Sequence, residues 1–466
     1  MAITRATSAL MLSGVFLGGC STFSADGGMQ DVSTMTRERV GHPVSLQTPE
    51  NGSTLRAAVS ELLANPLTAD SAVQVALLNN AGLQAALSDL GIAEADLVQA
   101  GRMRNPGFGF GRLRGGEDVE IERSLAIDFV GLLTIPLHRD MEMRRFEQAK
   151  AQAALQGVQL ASQTRKAYFN AVAAEQSALY MAQVADAAEA SAELAARMSK
   201  VGNLSKLDQA REQAFYADAT TQVARARHNV TASREQLAKL LGVWGEQANF
   251  RLPNRLPELP ATLIAGTDLE DRALQKRLDV AIAKRDAEST AKALGLTRTT
   301  GIINALDYGY TNKSETGQPR SNGYEISIEL PLFDWGGART AKAQALYMQS
   351  VHRVADTAVR ARADVRETYS AYRTTYDIAR HYRDEVVPLR KKISDEVLLR
   401  YNGMLMSVFE LLADARDQVN SVNAAIEAQR DFWLAESDLQ TAIYGSGGAA
   451  TVMRAKAGAA AAPQEH

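Results

Sequence analysis

The 466 residues carry 51 Lys and Arg against 54 Asp and Glu, a net charge of −3, with 6% aromatics and one cysteine. This balance lacks the basic stripe of a general nucleic-acid binder, and a lone cysteine excludes an internal disulfide and a cysteine-built zinc site. The six histidines are scattered without ligand spacing, Gly107-x-Gly109-x-Gly111 has neither the lysine nor the following helix of a phosphate loop, and no G-x-S-x-G elbow occurs, so nothing points to an enzyme.

Residues 1–19 have the layout of a signal peptide: Arg5, then the apolar run Ala9 to Leu17, too short to span a bilayer. Leu17-Gly18-Gly19-Cys20 resembles a bacterial lipobox, which predicts cleavage before Cys20 and a covalent lipid on it. Residues 20–66 are polar and mixed and read as an extended, lipid-anchored leader. Leu67 to about Ala100 reads as one helix, with Thr68 as its N-cap.

Two strands follow. Phe108 and Phe110 share a face of the first. In the second, Ile121, Arg123, Leu125, Ile127 and Phe129 alternate with Glu120, Glu122, Ser124, Ala126 and Asp128. Ile135-Pro136-Leu137 closes this strand, and a proline-free stretch to Arg251 reads as a long helical hairpin broken at Gly202 and ended at Gly242. Residues 252–265 form a proline-rich linker.

The same parts then recur with a period of about 200 residues, a duplicated supersecondary unit rather than a short solenoid repeat. Repeat 1 spans 67–251 and repeat 2 spans 266–445. In repeat 2, Ile302, Leu306, Tyr308 and Tyr310 share a strand face, Thr311 to Gly323 is a polar loop, and Tyr324, Ile326, Ile328 and Leu330 alternate with Glu325, Ser327 and Glu329. Leu330-Pro331-Leu332 matches the first strand end. Val351/Val354, Ala358/Ala361, Val365/Thr368, Tyr372/Thr375 and Ala379/Tyr382 form a coiled-coil seam, with Arg353, Asp356, Arg360, Arg362 and Arg366 off it. Pro388 should kink this helix, Gly403 should turn the hairpin, and Gly445 ends it. The Gly/Ala-rich tail, 446–466, should be loosely held.

The duplicated unit, the lipobox and the tip glycines together resemble the TolC-like family of outer-membrane efflux proteins, over residues 66 to 445. The resemblance is close at Leu67-Thr68-Ala69-Asp70-Ser71-Ala72-Val73, Asn79-Asn80, Asn105-Pro106, the two x-Pro-Leu strand ends, and Arg400-Tyr401-Asn402-Gly403 through Asp414. It implies an α+β membrane protein: a homotrimer in which four strands per protomer close a twelve-stranded β-barrel over a long periplasmic coiled-coil tunnel. It also implies the outer membrane of a Gram-negative bacterium, outer-membrane lipid as surroundings, and a periplasmic adaptor and an inner-membrane pump as partners. The expected function is the exit duct of a tripartite efflux system for small molecules or ions. The alternatives are the duct of a type I protein secretion system and, in another class, a non-channel coiled-coil adaptor or structural lipoprotein. No cofactor is expected beyond the lipid on Cys20.

By the family's inward-polar alternation, Glu120, Glu122, Asp128, Glu325 and Glu329 would line the lumen. At the periplasmic end, Glu410 falls where family members carry a gating acid. A second acid is replaced by Ala413, with Asp414 beside it, and Asp208 is the equivalent in repeat 1, where an acid in the first helical turn serves the helix dipole before any gate. Met404 and Met406 at the tip are weak candidates for a soft metal ion and otherwise a hydrophobic docking tip.

Overall fold

The computed structural model describes residues 22–299, 306–328 and 335–446. Cys20, Ile302, Glu329, the Leu330-Pro331-Leu332 strand end and nearly all of the tail lie outside them. The described residues form eleven α-helices longer than one turn, α1–α8 ahead of the third strand and α9–α11 after the fourth, and four strands.

The leader is not extended. It folds into α1 (Met29–Val40) and α2 (Gly52–Ala64). Val32, Thr36, Val40 and Val44 recur every fourth residue and are all buried. Thr36 and Val44 sit against Gly157, where a Cβ would lie 3.3–3.4 Å from their methyl groups.

The helix expected from Leu67 is two, α3 (Ala69–Asn79) and α4 (Ala81–Ala100). Thr68 caps α3 in a reciprocal box with Ser71. The break at Asn80 has a purpose. Asn79 Nδ2 donates to Leu241 O (3.1 Å) and Gly242 O (2.8 Å), and Asn80 Nδ2 donates to Leu240 O (3.0 Å), satisfying carbonyls at a helix end that have no intrahelical donor. Asn80 Oδ1 in turn accepts Leu83 N–H (3.0 Å) and starts α4.

Strands β1 (Gly107–Gly115), β2 (Asp118–Asp128), β3 (Leu306–Glu315) and β4 (Ser321–Ile328) form one antiparallel sheet in sequential order. Two expectations are corrected here. The strand expected to close at Ile135-Pro136-Leu137 stops at Asp128, whose Oδ1 accepts Gly131 N–H at 2.7 Å and so caps the first turn of α5 (Phe129–Lys200). Pro136 lies inside that helix. The polar loop expected from Thr311 is instead strand to Glu315, because Thr311, Lys313 and Glu315 keep the alternation and pair with Ser124, Glu122 and Glu120.

α5 has 72 residues, roughly 110 Å at 1.5 Å per residue. It turns into α6 (Lys206–Leu241), which ends on Gly242 at φ 69. α7 (Leu269–Lys276) and α8 (Leu278–Thr299) break at Arg277, as α3 and α4 do at Asn80. α9 (Gly337–His381), a π-helical turn at Tyr382–Val386, α10 (Val387–Asn402) and α11 (Val408–Tyr444) complete the chain. The disruption ahead of Pro388 is thus a π turn in the residues before it, where the missing amide and the ring's demand for space are absorbed.

The chain divides into two compact units. The first comprises Met1–Val32, Ala86–Ala153 and Asp279–Ala358 and holds the sheet. Its helices are tied by Lys150, whose Nζ bonds Asp31 (2.8 Å) and Glu147 (2.7 Å), and by the Arg144–Glu288 (3.3 Å) and Lys292–Asp140 (3.2 Å) pairs.

The second unit comprises Ser33–Ala85, Ala154–Leu278 and Val359–His466. Its core gathers Leu259, Leu269, Val365, Tyr372, Phe432 and Leu439 among others. The heptad seam is buried from Ala361 to Ala379, and its Thr368 and Thr375 hydroxyls return to the carbonyls of Asp364 and Ala371. Residues 252–265 contain no helix or strand yet are fastened to helices. Pro257 O accepts from Gln429 (2.7 Å) and Trp433 (3.1 Å), and Pro260 O accepts from Tyr376 (3.3 Å). Arg277, 1% exposed, donates to Asp364 (2.9 Å) and to the carbonyls of Ala442 (3.3 Å) and Ala361 (3.4 Å).

Candidate channel lining and entrance

The sheet registers sort its residues onto two unlike faces. On one, Phe108 pairs with Leu125, Leu125 with Tyr310, and Tyr310 with Tyr324. The next rung is Ile127, Tyr308 and Ile326. Phe108 is 71% exposed and Tyr324 75%. An exposed aromatic patch of this kind is a contact surface for lipid or protein.

The opposite face carries the expected acids Glu120, Glu122, Asp128 and Glu325, joined by Asp307 and Glu315, with Lys313 among them. Lys313 Nζ pairs with Glu120 at 2.6 Å. β1 gives this face Gly107, Gly109 and Gly111, which leave it open, and a Cβ on Gly109 would collide with Ser124 Oγ. Asp128 is at the helix end of the face and also lies 3.7 Å from Arg104. Asp307, Lys313 and Glu315 were missed in the sequence because the polar run after Tyr310 reads as loop. Its period-2 alternation was the available signal.

Both hairpin tips are built alike. At the first, Gly202 takes φ 78, its N–H bonds Ser199 O (3.1 Å), and Asn203 N–H reaches back to Met198 O (2.9 Å). This is a Schellman closure, which needs a left-handed residue. At the second, Met404 N–H bonds Tyr401 O (3.0 Å) and Leu405 N–H bonds Arg400 O (2.9 Å). The left-handed residue there is Met404, at φ 58, while Gly403 keeps φ −79. The expectation that Gly403 turns this hairpin is therefore corrected: the structural partner of Gly202 is Met404. Met404 is 94% exposed and Leu405 81%, whereas Met406 is half-buried.

The same alignment pairs Ser205 with Ser407 and Asp208 with Glu410. Each serine is an N-cap and each acid stands three residues on. Ser407 Oγ accepts Glu410 N–H while Glu410 Oε2 accepts Ser407 N–H at 2.9 Å. Asp208 N–H donates to Ser205 Oγ at 3.1 Å, and Ser205 Oγ donates to Asp208 Oδ2 at 2.7 Å. The Ser407 amide, then its hydroxyl, holds the Glu410 carboxyl below the usual glutamate value. The S-x-x-E spacing announces this box in the sequence and was not read. Glu410 is exposed. Asp414 differs: it is buried against α10 and accepts Ser394 Oγ at 2.5 Å.

Among the described residues no group of three or more His, Cys, Asp or Glu could hold a metal ion, and no helix is long and apolar enough to cross a membrane.

No family model matches the sequence. A curated relative, the cobalt-zinc-cadmium resistance protein CzcC of Cupriavidus metallidurans, is 24% identical over 296 residues, covering 61% of this chain and 68% of its own. The crystal structure of a membrane protein from Pseudomonas aeruginosa superposes with a TM-score of 0.70 at 18% identity, covering 83% of this chain and 93% of that one. The Campylobacter jejuni CmeC outer membrane channel superposes at 0.66 with 16% identity, covering 86% and 88%. The fold is that of an outer-membrane channel. The sheet is then the part that corresponds to a membrane barrel, and the helical hairpins correspond to the channel's helical body.

Proposed function

We propose that this chain is the outer-membrane exit duct of a tripartite efflux system, working as a homotrimer with a periplasmic adaptor and an inner-membrane pump. The observation that carries the reading is the four-stranded sheet. Its outer strands, β1 and β4, have no further strand partner among the described residues, and one face is an exposed aromatic band. In lipid, unpaired strand edges cost several kcal/mol per group, so such a sheet is stable only in a closed barrel. Four strands cannot close around water; three copies could, with the acidic face inward. That face and the metal resistance in the name of CzcC both favour cationic cargo. The cysteine at Cys20 supplies a lipid anchor in this reading, and palmitate labelling lost in Cys20→Ser supports it.

Glu410 would form the acidic entrance ring. Because glutamine also completes a capping box, Glu410→Gln removes charge while sparing the helix start. The deciding measurement is conductance of purified protein in planar bilayers. Trimers with cation-selective conductance, and a lower cation preference in Glu410→Gln, are expected. Monomers that leave the bilayer silent would end the duct reading; unchanged selectivity in the variant would remove Glu410 from the entrance.

A further inference from the structure

The aromatic face of the sheet changes character toward its hairpin turns. Beyond the Phe108–Leu125–Tyr310–Tyr324 rung comes Phe110–Arg123–Asn312–Asn322, then Arg112–Ile121–Ser314, then Arg114–Val119. Arg112 and Arg114 are exposed, and Arg112 stands diagonally across from Arg123, within reach of the same ligand. Their partners are neutral: Arg123 donates to Asn312 Oδ1 (3.2 Å), Asn312 Nδ2 in turn donates to Asn322 Oδ1 (2.6 Å), and Arg114 Nε donates to Gly116 O (3.3 Å). The strand carboxylates Asp118, Glu120, Glu122, Asp128, Asp307, Glu315 and Glu325 all fall on the other face. Three guanidinium groups are thus gathered with no anion on their own side of the paired strands.

The geometry points to a binding site for a phosphate-bearing lipid headgroup, held by Arg112, Arg114 and Arg123 at the turn end of the barrel wall. The inference rests on the duct reading, which places this face in lipid and the turn end in the outer leaflet. Charge on a lipid-facing strand is costly at the midplane and tolerated near the interface. These arginines begin one rung above the aromatic band and continue for two more, a rise of about 7 Å per rung. That is headgroup depth. Guanidinium forks bind phosphate oxygens in bidentate fashion, which lysine does not reproduce. A glycolipid with more than one phosphate fits three arginines spread along two strands better than a single phosphodiester does.

The test uses the full-length trimer in nanodiscs of zwitterionic lipid, titrated with lipid A, with phosphatidylglycerol of equal total charge, or with inorganic phosphate. Lipid A should raise the trimer's dissociation temperature in the wild type, phosphatidylglycerol should do so less, and inorganic phosphate should have no effect. In Arg112→Gln/Arg114→Gln/Arg123→Gln the apparent lipid A affinity should fall on the order of 100-fold, with conductance unchanged. Replacing the three by lysine should restore only part of it. A triple glutamine variant that responds to lipid A like the wild type would overturn the site, as would a wild type that responds equally to both lipids. A wild type that forms no trimer in the membrane would instead sink the duct reading beneath it.

Discussion

Removing Arg277 would leave the largely buried Asp364 carboxylate without its partner and take a donor from the Ala361 carbonyl in mid-α9 and the Ala442 carbonyl near the end of α11. Breaking a buried pair by deleting one partner costs about 3–5 kcal/mol, so Arg277→Met should lower the melting temperature sharply by circular dichroism. Asn79 and Asn80 do the same work in repeat 1 with neutral amides, which is why sequence comparison of the two copies does not reveal the match. Burial pushes the Glu436 carboxyl up, opposed by Arg165. A carboxyl raised on folding is held protonated more tightly by the folded state, so its contribution is most favourable below the ordinary value of 4.5 and is lost as pH rises through the folded-state value. Glu436→Gln should therefore stabilise the protein at pH 7, and the gain should vanish below the ordinary glutamate value. A pH-independent difference would show that the Glu436 charge is not what matters.

Helix ends carry the clearest differences between the copies. Gly242 is left-handed and so close to the end of α3 that a Cβ would lie 2.7 Å from Asn79 O. Gly242→Ala should cost at least about 1–3 kcal/mol, read as a lower urea midpoint. Met404 occupies the same kind of conformation with a side chain, at a cost of roughly 1–2 kcal/mol. Met404→Gly should raise stability by a similar amount, and it should weaken adaptor binding if the exposed Met404–Leu405 pair is the docking tip. The long helices, the seam and the strand alternation were legible in the sequence because each repeats over many residues. The places where reading failed are single-residue decisions. Asp128 ends a strand by capping, Met404 turns where a glycine beside it is expected to, and a polar run stays in a sheet because its neighbours pair with it. The first two leave no periodic trace, whereas the polar run left its period-2 alternation. The Ser407–Glu410 box did leave one.

In the proposed trimeric barrel the sheet faces decide what is tolerated where. Ile127→Arg puts charge into the aromatic band and should cost up to about 2–4 kcal/mol at bilayer mid-depth, seen as loss of trimers from membranes. Trimers as abundant as the wild type would argue that this rung lies outside the lipid. The same two faces protect the chain while it assembles. A strand that slipped by one residue against its neighbour would turn every side chain over. If the acidic face lines the lumen as proposed, that slip in β2 would push Glu120, Glu122 and Asp128 into hydrocarbon and bring Arg123 into the lumen, failing on polarity and on charge at once. A slip of two residues keeps the faces but slides Arg123 of β2 down into the aromatic band. Each misaligned pairing thus carries its own penalty, and the native register is the one in which apolar, cationic and acidic residues all find matching surroundings.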